Sequence, residues 1–529
     1  MKKLILSIFI GAIAQLSAFA QTQTAYDALI ASSSELNGTA RFMAVGGAMG
    51  ALGGDASTIF YNPAGIGIYR SSELTVSANI NWDNTSLKNS NSTYNSYNTE
   101  VNVDLQNLAY VGTWILENNN TLLNFNVGIA YNQSKKFSRV GKYHGYQPHS
   151  YTQWAASMTD GIPMESLANS DAHWYDNVNP AYEDKSIPWS SVIAFDSYLT
   201  DLKYEDNDRI YTSLYDWSGR GSIDQYIRFE EFGSSNDFAL SFAGNLSNLI
   251  YWGMTFECDY ATYARNTTLQ ETFVDGSTYT LHNVYRFQST GFTYKIGLIA
   301  KPTSWLRIGA AFHTPTAYFL SDYSSSNCDY NVYDISGKPN HQRGFNEIPS
   351  SVGETRLTGP LKAIGSLGFV LGKFGFIGVD YEYENSAAIN GNDDEIKNLY
   401  SNDLIDRHTI RAGIEIKPTD GLSLRVGGGY STPRVSDYMS RGYYYNDVRT
   451  DVDYYNEKDS YNITAGIGYR FGRHAIDLAY VYQVNTADYY PYAPSYTKYD
   501  GDVFQLNNFE PIGLRSVLNQ IVLTYGIRF

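Results

Sequence analysis

The closing residues, NQIVLTYGIRF, place Ile521, Leu523, Tyr525, Ile527 and Phe529 on one side of an extended chain and Gln520, Thr524, Gly526 and Arg528 on the other, because successive side chains of a strand point to opposite faces. A period of two is the mark of a strand with one apolar face, not of a helix. It recurs at Leu74, Val76, Ala78, Ile80 and Trp82, at Leu123, Phe125, Val127, Ile129 and Tyr131, and at Ile463, Ala465, Ile467, Tyr469 and Phe471. After Gly472-Arg473 it resumes through Ile476, Leu478, Tyr480 and Tyr482, the signature of a tight hairpin. Turning Arg528 toward lipid at mid-bilayer would cost about 2 to 4 kcal/mol, so the Phe529 face is the outer one.

The hairpin unit repeats. Lys301 to Ser304, Gly372-Lys373, Lys417 to Gly421, Leu246 to Leu249 and Glu117 to Asn120 each separate two alternating runs. With the first and last strands the count is about fourteen, an even number with both ends on one side, as in a closed antiparallel barrel. Polar segments rich in Tyr, Asn, Asp and Ser lie between the hairpins, so connections are expected to alternate short and long, with short periplasmic turns and long extracellular loops. The longest predicted loop runs from Lys135 to Phe232, with a helix expected from Trp154 to Leu167 because bare loops of that length are uncommon. Trp82, Trp114, Trp252 and Trp305 fall near strand ends, where an aromatic girdle belongs.

Lys2 and Lys3, an apolar run from Leu4 to about Ala14, and Ala18-Phe19-Ala20 read as a secretory signal peptide over residues 1–20. Beyond it no apolar run reaches the eighteen residues that a membrane helix needs. A mean hydropathy of -0.33 does not separate a soluble chain from a membrane barrel, whose faces alternate. The 47 Tyr, 25 Phe and 8 Trp favour the barrel. A net charge of -16 excludes a nucleic-acid partner, which wants a basic surface. Cys258 and Cys328 form no CxxC and no disulfide framework.

Before the first strand stands GTARFMAVGGAMGALGGDASTIFYNPAGIG. Its small residues from Ala48 to Gly54, then Asp55-Ala56-Ser57, then Asn62-Pro63-Ala64, resemble the N-terminal signature of the FadL/TodX-type family of outer-membrane transporters for long-chain fatty acids and other hydrophobic molecules. Two hairpins, LIAKPTSWLRIGAAFHTPTAY and AGIEIKPTDGLSLRVGGGY, agree, and terminal Phe529 resembles the assembly signal of outer-membrane barrels. The resemblance implies an all-β transmembrane antiparallel barrel over residues 73–529, with residues 21–72 folded inside the lumen as a plug, or hatch. It also implies passive uptake of a hydrophobic, fatty-acid-like ligand that leaves sideways into the bilayer, with outer-membrane lipid and the barrel-assembly machinery as further partners and a monomeric state. Gly46, Gly47, Gly50, Gly53 and Gly54 suit close approach to the wall, and Asn62 and Pro63 suit a fixed turn out of the plug. Asp55 could cap a helix or pair with an inward Arg.

Strand phase puts Lys295, Arg307, His313, Asp380, Glu382, Arg411, Glu415, Arg425, Arg470 and Asp477 on the lumen side. Such charges can simply satisfy one another in a wet barrel, or Arg411 and Arg425 could hold Asp55 or an anionic head group. There is no G-x-G-x-x-G, G-x-S-x-G or H-E-x-x-H, and the eight His are scattered, so neither catalysis, a cofactor nor a metal is expected. Asn390 to Glu395, NGNDDE, is more simply a solvated acidic loop than a cation site. The competing reading is a surface adhesin that acts through its long loops.

Overall fold

The computed structural model describes residues 25–93, 96–116, 121–167, 179–184, 186–202, 210–333, 341–391, 404–437, 448–493, 496–499, 502–505 and 510–529. The expected signal peptide, most of NGNDDE and the Glu117 to Asn120 turn lie outside them. Strand segments fuse into a closed antiparallel barrel of 14 wall strands. These are β1 (Glu73–Lys88), β2 (Ser96–Ile115), β3 (Leu122–Gln147), β4 (Ile223–Leu246), β5 (Ile250–Thr272) and β6 (Thr278–Ala300). Next come β7 (Leu306–His313, continuing as Ala317–Tyr333), β8 (His341–Glu347, Ser351–Thr358 and Lys362–Val370) and β9 (Gly375–Glu384, with Asn390–Gly391). The wall ends with β10 (Arg407–Ile416), β11 (Leu422–Ser431), β12 (Tyr454–Phe471), β13 (His474–Tyr490) and β14 (Ile512–Arg528). The barrel closes where β1 pairs β14, Glu73 opposite Arg528 through Lys88 opposite Gly513.

Side-chain phase follows the sequence. On β14, Gln520, Val522 and Thr524 are buried in the lumen while Ile521, Leu523 and Tyr525 are exposed outside. On β1, Thr75, Ser77, Asn79 and Asn81 face in and Leu74, Val76 and Ile80 face out. Trp114 and Trp305 are exposed near the short-turn end, where a girdle would sit.

The loop expected over Lys135 to Phe232 is shorter than the sequence suggested. Lys135 to Gln147 still pair with Ser235 to Ile223, so β3 and β4 stand well above the short-turn half and only 148–222 connects them. Above the bilayer a strand can be polar on both faces, which erases the alternation while the hydrogen-bond ladder continues. For the same reason β5 and β6 extend so far that only residues 273–277 join them, one short connection on the long-loop side. The 148–222 connection holds helices Tyr151–Thr159, Met164–Leu167 and Trp189–Asp196, in keeping with the helix expected near Trp154. Their apolar faces pack with Tyr279, Tyr285 and Phe287 into the largest core, which fills the long-loop mouth. Cys258 and Cys328 are free thiols.

Candidate functional site

Residues 25–72 thread the lumen. Helix α1 (Ala25–Ala31) lies at the mouth, where Asp27 pairs with Arg449 at 2.6 Å and Tyr26, Leu29 and Ile30 join the large core. The chain then descends to α2 (Ala40–Ala44), whose start is fixed by Thr39 capping the Phe42 N–H and by the Ala40 N–H donating to Thr524 Oγ1 at 2.7 Å. Gly46 and Gly47 follow with φ of +63° and +78°, where any side chain would be strained. The segment next forms α3 (Thr58–Tyr61) and a 3-10 turn, Pro63–Ile68, and leaves for β1. Asn62 ties this path together, its Nδ2 donating to the Gly50 carbonyl at 2.7 Å and its Oδ1 accepting from the Ala64 N–H at 3.2 Å.

Residues 44–63 follow the inner circumference of the short-turn half, and the wall is notched to receive them. Eight consecutive strands, β5 to β12, each turn a glycine inward here: Gly253, Gly297, Gly309, Gly368, Gly378, Gly413, Gly427 and Gly466. A β-carbon at Gly378 would lie 2.1 Å from the Ala48 carbonyl oxygen, and one at Gly413 2.2 Å from that of Val45. At Gly253 it would meet the Pro63 carbonyl carbon at 2.3 Å, and at Gly309 the Gly50 oxygen at 2.7 Å. At Gly253, Gly309, Gly378, Gly413 and Gly427 backbone therefore rests on backbone, a contact that no larger residue permits.

The lumen charges are partnered, many of them with that segment. Lys295 donates to the Phe60 carbonyl at 3.0 Å and pairs with Glu257. His313 meets the Tyr61 carbonyl at 2.7 Å, Arg307 donates to that of Leu52, and Asp380 accepts from the Gly50 N–H at 2.9 Å. Arg411 pairs with Glu382 at 2.8 Å, and Arg425 joins Glu415 at 2.7 Å and Asp477 at 2.6 Å. Arg470 lies on the same phase at the short-turn rim, exposed. Asp55 touches neither Arg411 nor Arg425; it accepts from Thr39 Oγ1 at 2.8 Å and the Ser57 N–H at 3.0 Å. Burial raises its carboxyl above the usual range, against the pull of Arg41 and those hydrogen bonds. Arg41 is the cation that the sequence reading did not place: it reaches Glu415 at 3.3 Å and the Gly54 carbonyl at 2.8 Å.

The opposite side of the wall holds a seam. Strands β2 and β3 pair only from Asn107 opposite Asn132 to Ile115 opposite Asn124. Above that point Ser96 to Leu105 pair with β1 alone and Lys135 to Gln147 with β4 alone, with Gln106 and Ser134 as the extra residues of register shifts, until Ser92 bridges Gly145 at the top. Side chains span the gap: Asn102 donates to Ser138, Lys136 pairs with Asp104 at 2.8 Å, and Gln106 donates to the Gln133 carbonyl at 3.2 Å. From inside, the Ser134 carbonyl accepts from the Glu35 N–H at 3.0 Å and from Asn37 Nδ2. The segment between α1 and α2 thus occupies part of the edge that β2 leaves free.

Three voids lead to this seam. A central one lies above α3, bordered by Tyr61, Asp237, Lys295, Lys362 and Arg411. A second shares Glu35 and Arg407 with it, and a third, the smallest, shares Glu35, Lys136 and Ser138 with the second. Glu35 borders all three. Their walls carry many charged and amide side chains, which a purely apolar ligand path would not require. Phase alone could have put Asn79 and Asn81 inside; only the strand pairing brings them beside the seam.

The 14-strand wall, whose first and last strands begin and end on one side, and the threaded N-terminal chain define the fold class of the FadL/TodX-type outer-membrane barrels. The chain superposes on the Pseudomonas putida toluene transporter TodX with a TM-score of 0.51 at 11% identity, over 93% of this chain and 99% of that one. A Pseudomonas aeruginosa FadL homologue gives 0.49 at 12% identity over 94% and 98%, and the Ralstonia pickettii toluene transporter TbuX gives 0.48 at 12% over 93% and 99%. Identities this low speak for the fold alone. No protein-family model and no curated protein matches the sequence.

Proposed function

We propose that this protein is an outer-membrane channel for passive uptake of hydrophobic and amphipathic small molecules, with residues 21–72 as an internal plug and the β2–β3 seam as the exit into the bilayer. The observation that carries the reading is that the neighbouring wall strands β2 and β3 part company beside a chain of voids. The toluene transport named for TodX and TbuX supports a small hydrophobic cargo; fatty acids are a further candidate, through the sequence resemblance. Below the voids the plug's backbone is wedged against wall glycines, so passage straight through would have to break the tightest contacts in the lumen. Sideways passage needs the seam's side-chain bridges and the Glu35 to Ser134 backbone hydrogen bond to part.

The test is a lock. Asn102→Cys with Ser138→Cys, oxidised across the seam, is expected to abolish uptake of radiolabelled oleate and toluene into vesicles carrying the protein, and a reductant to restore it. Uptake that persists with the disulfide quantitatively formed would remove the seam from the path.

A further inference from the structure

Three carboxylates meet on the lumen side of β4 and β5. Asp237 stands directly opposite Asp259 in the antiparallel ladder, and Glu257 lies two residues before Asp259 on the same face. Like charges placed opposite one another in a sheet repel. These three are also deeply set, on residues 8%, 9% and 7% exposed, and each offers an oxygen within 4.8 Å of the others. Buried charges are ordinarily paired or bound to a metal.

Partners for them are few. Lys295 pairs with Glu257 and is the one cation among the described residues that ion-pairs with the trio. Ser134 Oγ donates to Asp237 at 2.8 Å, and Thr293 Oγ1 reaches Asp259 Oδ2 only at 3.5 Å. Asp259 Oδ1, on a side chain nine-tenths buried, has no hydrogen-bond partner. Nearby cations on the same void are engaged elsewhere, Lys362 by Glu384 at 3.2 Å and Arg411 by Glu382. Three carboxylates against the single Lys295 ammonium leave two negative charges over. Water satisfies a hydrogen bond but brings no charge.

We propose that Asp237, Glu257 and Asp259 bind one divalent cation, calcium by preference, between β4 and β5 at the edge of the central void. A doubly charged ion cancels the surplus. Calcium takes oxygen ligands at about 2.3 to 2.6 Å, which suits carboxylate oxygens up to 4.8 Å apart. Magnesium, with ligands at about 2.0 to 2.1 Å and a firmly held water shell, suits three direct carboxylates less well. The central void, which all three residues border, supplies further water ligands and the way in. No metal was expected from sequence spacing, because Asp237 meets the other two only through strand pairing. Ser134 links the site to the seam, its side chain holding Asp237 and its carbonyl holding Glu35. The site stands whether or not cargo leaves there.

The experiment is equilibrium binding of radiolabelled calcium to the full chain, stripped with a chelator and held in nanodiscs of zwitterionic lipid, with empty nanodiscs as control. Thermal melts in calcium and in chelator accompany it. A saturable site is expected in the unmodified chain, with magnesium competing at least about tenfold more weakly. Asp259→Asn and, separately, Asp237→Asn are each expected to weaken calcium at that site by about tenfold or more. Removing one of the like charges should also raise the melting temperature in chelator while the calcium-dependent rise disappears, a pair of effects that a merely damaged fold does not give. Calcium binding and calcium-dependent stabilisation that both variants keep would overturn the site. An unmodified chain that melts at the same temperature with and without calcium would overturn it too, and leave the carboxylates to share protons.

Discussion

The arc from β5 to β12 and the seam between β2 and β3 solve opposite problems with the same backbone. Along the arc each of eight strands turns one glycine toward the N-terminal segment, and the Val45, Ala48 and Gly50 carbonyls lie where β-carbons would be. At the seam the wall strands do not touch over more than ten residues, and Asn102, Asp104 and Gln106 reach across instead. Close-packed backbone has no second arrangement of similar energy, whereas side-chain bridges between polar partners can exchange for water or ligand. The molecule is thus rigid where it must seal and separable where it could open.

The sharpest way to break this contrast is to add one side chain to the arc. Gly413→Val is expected to destabilise the protein by about 3 kcal/mol or to push the plug off the wall, read as a lowered melting temperature or a rise in single-channel conductance. Gly365→Val, on an arc strand but with no atom within 4 Å of its β-carbon, is the control and should do neither. A tolerated Gly413→Val would mean that the arc is no seal.

Asn37→Leu comes next, removing the donor to Ser134 and the acceptor for Gln106 while leaving the arc intact. A loss of about 1 to 3 kcal/mol is expected, localised as faster hydrogen exchange of the Glu35 amide, which shares the Ser134 carbonyl. Lys136→Met should act more weakly. Its pair with Asp104 is partly exposed and worth up to about 1 kcal/mol, so uptake through a looser seam should rise by no more than about fivefold.

The smallest effect is a pH dependence. Burial raises the Glu35 carboxyl above its ordinary 4.5, against the pull of Lys135. The folded state therefore favours the protonated acid, so this contribution to docking the segment is fully present below about 4.5 and is lost as pH rises through the raised value. Exchange of the Glu35 amide, corrected for its intrinsic rate, should quicken over that rise, and Glu35→Gln should flatten the profile. Flat behaviour in the unmodified chain would take Glu35 out of the seam's control.

Much of this architecture is legible in the sequence because a barrel wall is a local pattern. The alternation that ends at Phe529 gives the inner and outer faces of β14 correctly, and the tight turns count the strands. The lumen phase of Lys295, His313, Glu382, Arg411 and Arg425 follows by the same logic. The overhang of β3 and β4 did not, since polar residues on both faces leave no period to read. Which Arg meets which carboxylate was also hidden: Arg41 and Arg425 share Glu415, a pairing across more than 370 residues of chain that spacing cannot encode.

By itself, the sequence determined the wall: a period of two with one apolar face commits each strand to lipid on one side and lumen on the other, and glycine-rich residues 46–54 announced that this stretch must lie close to other backbone. Only the tertiary structure decided that eight glycines from eight strands would line up opposite residues 44–63, and that β2 and β3 would separate above Asn107. Both depend on the stagger between neighbouring strands. Stagger is set by closing the whole barrel at once, which no local run of residues specifies.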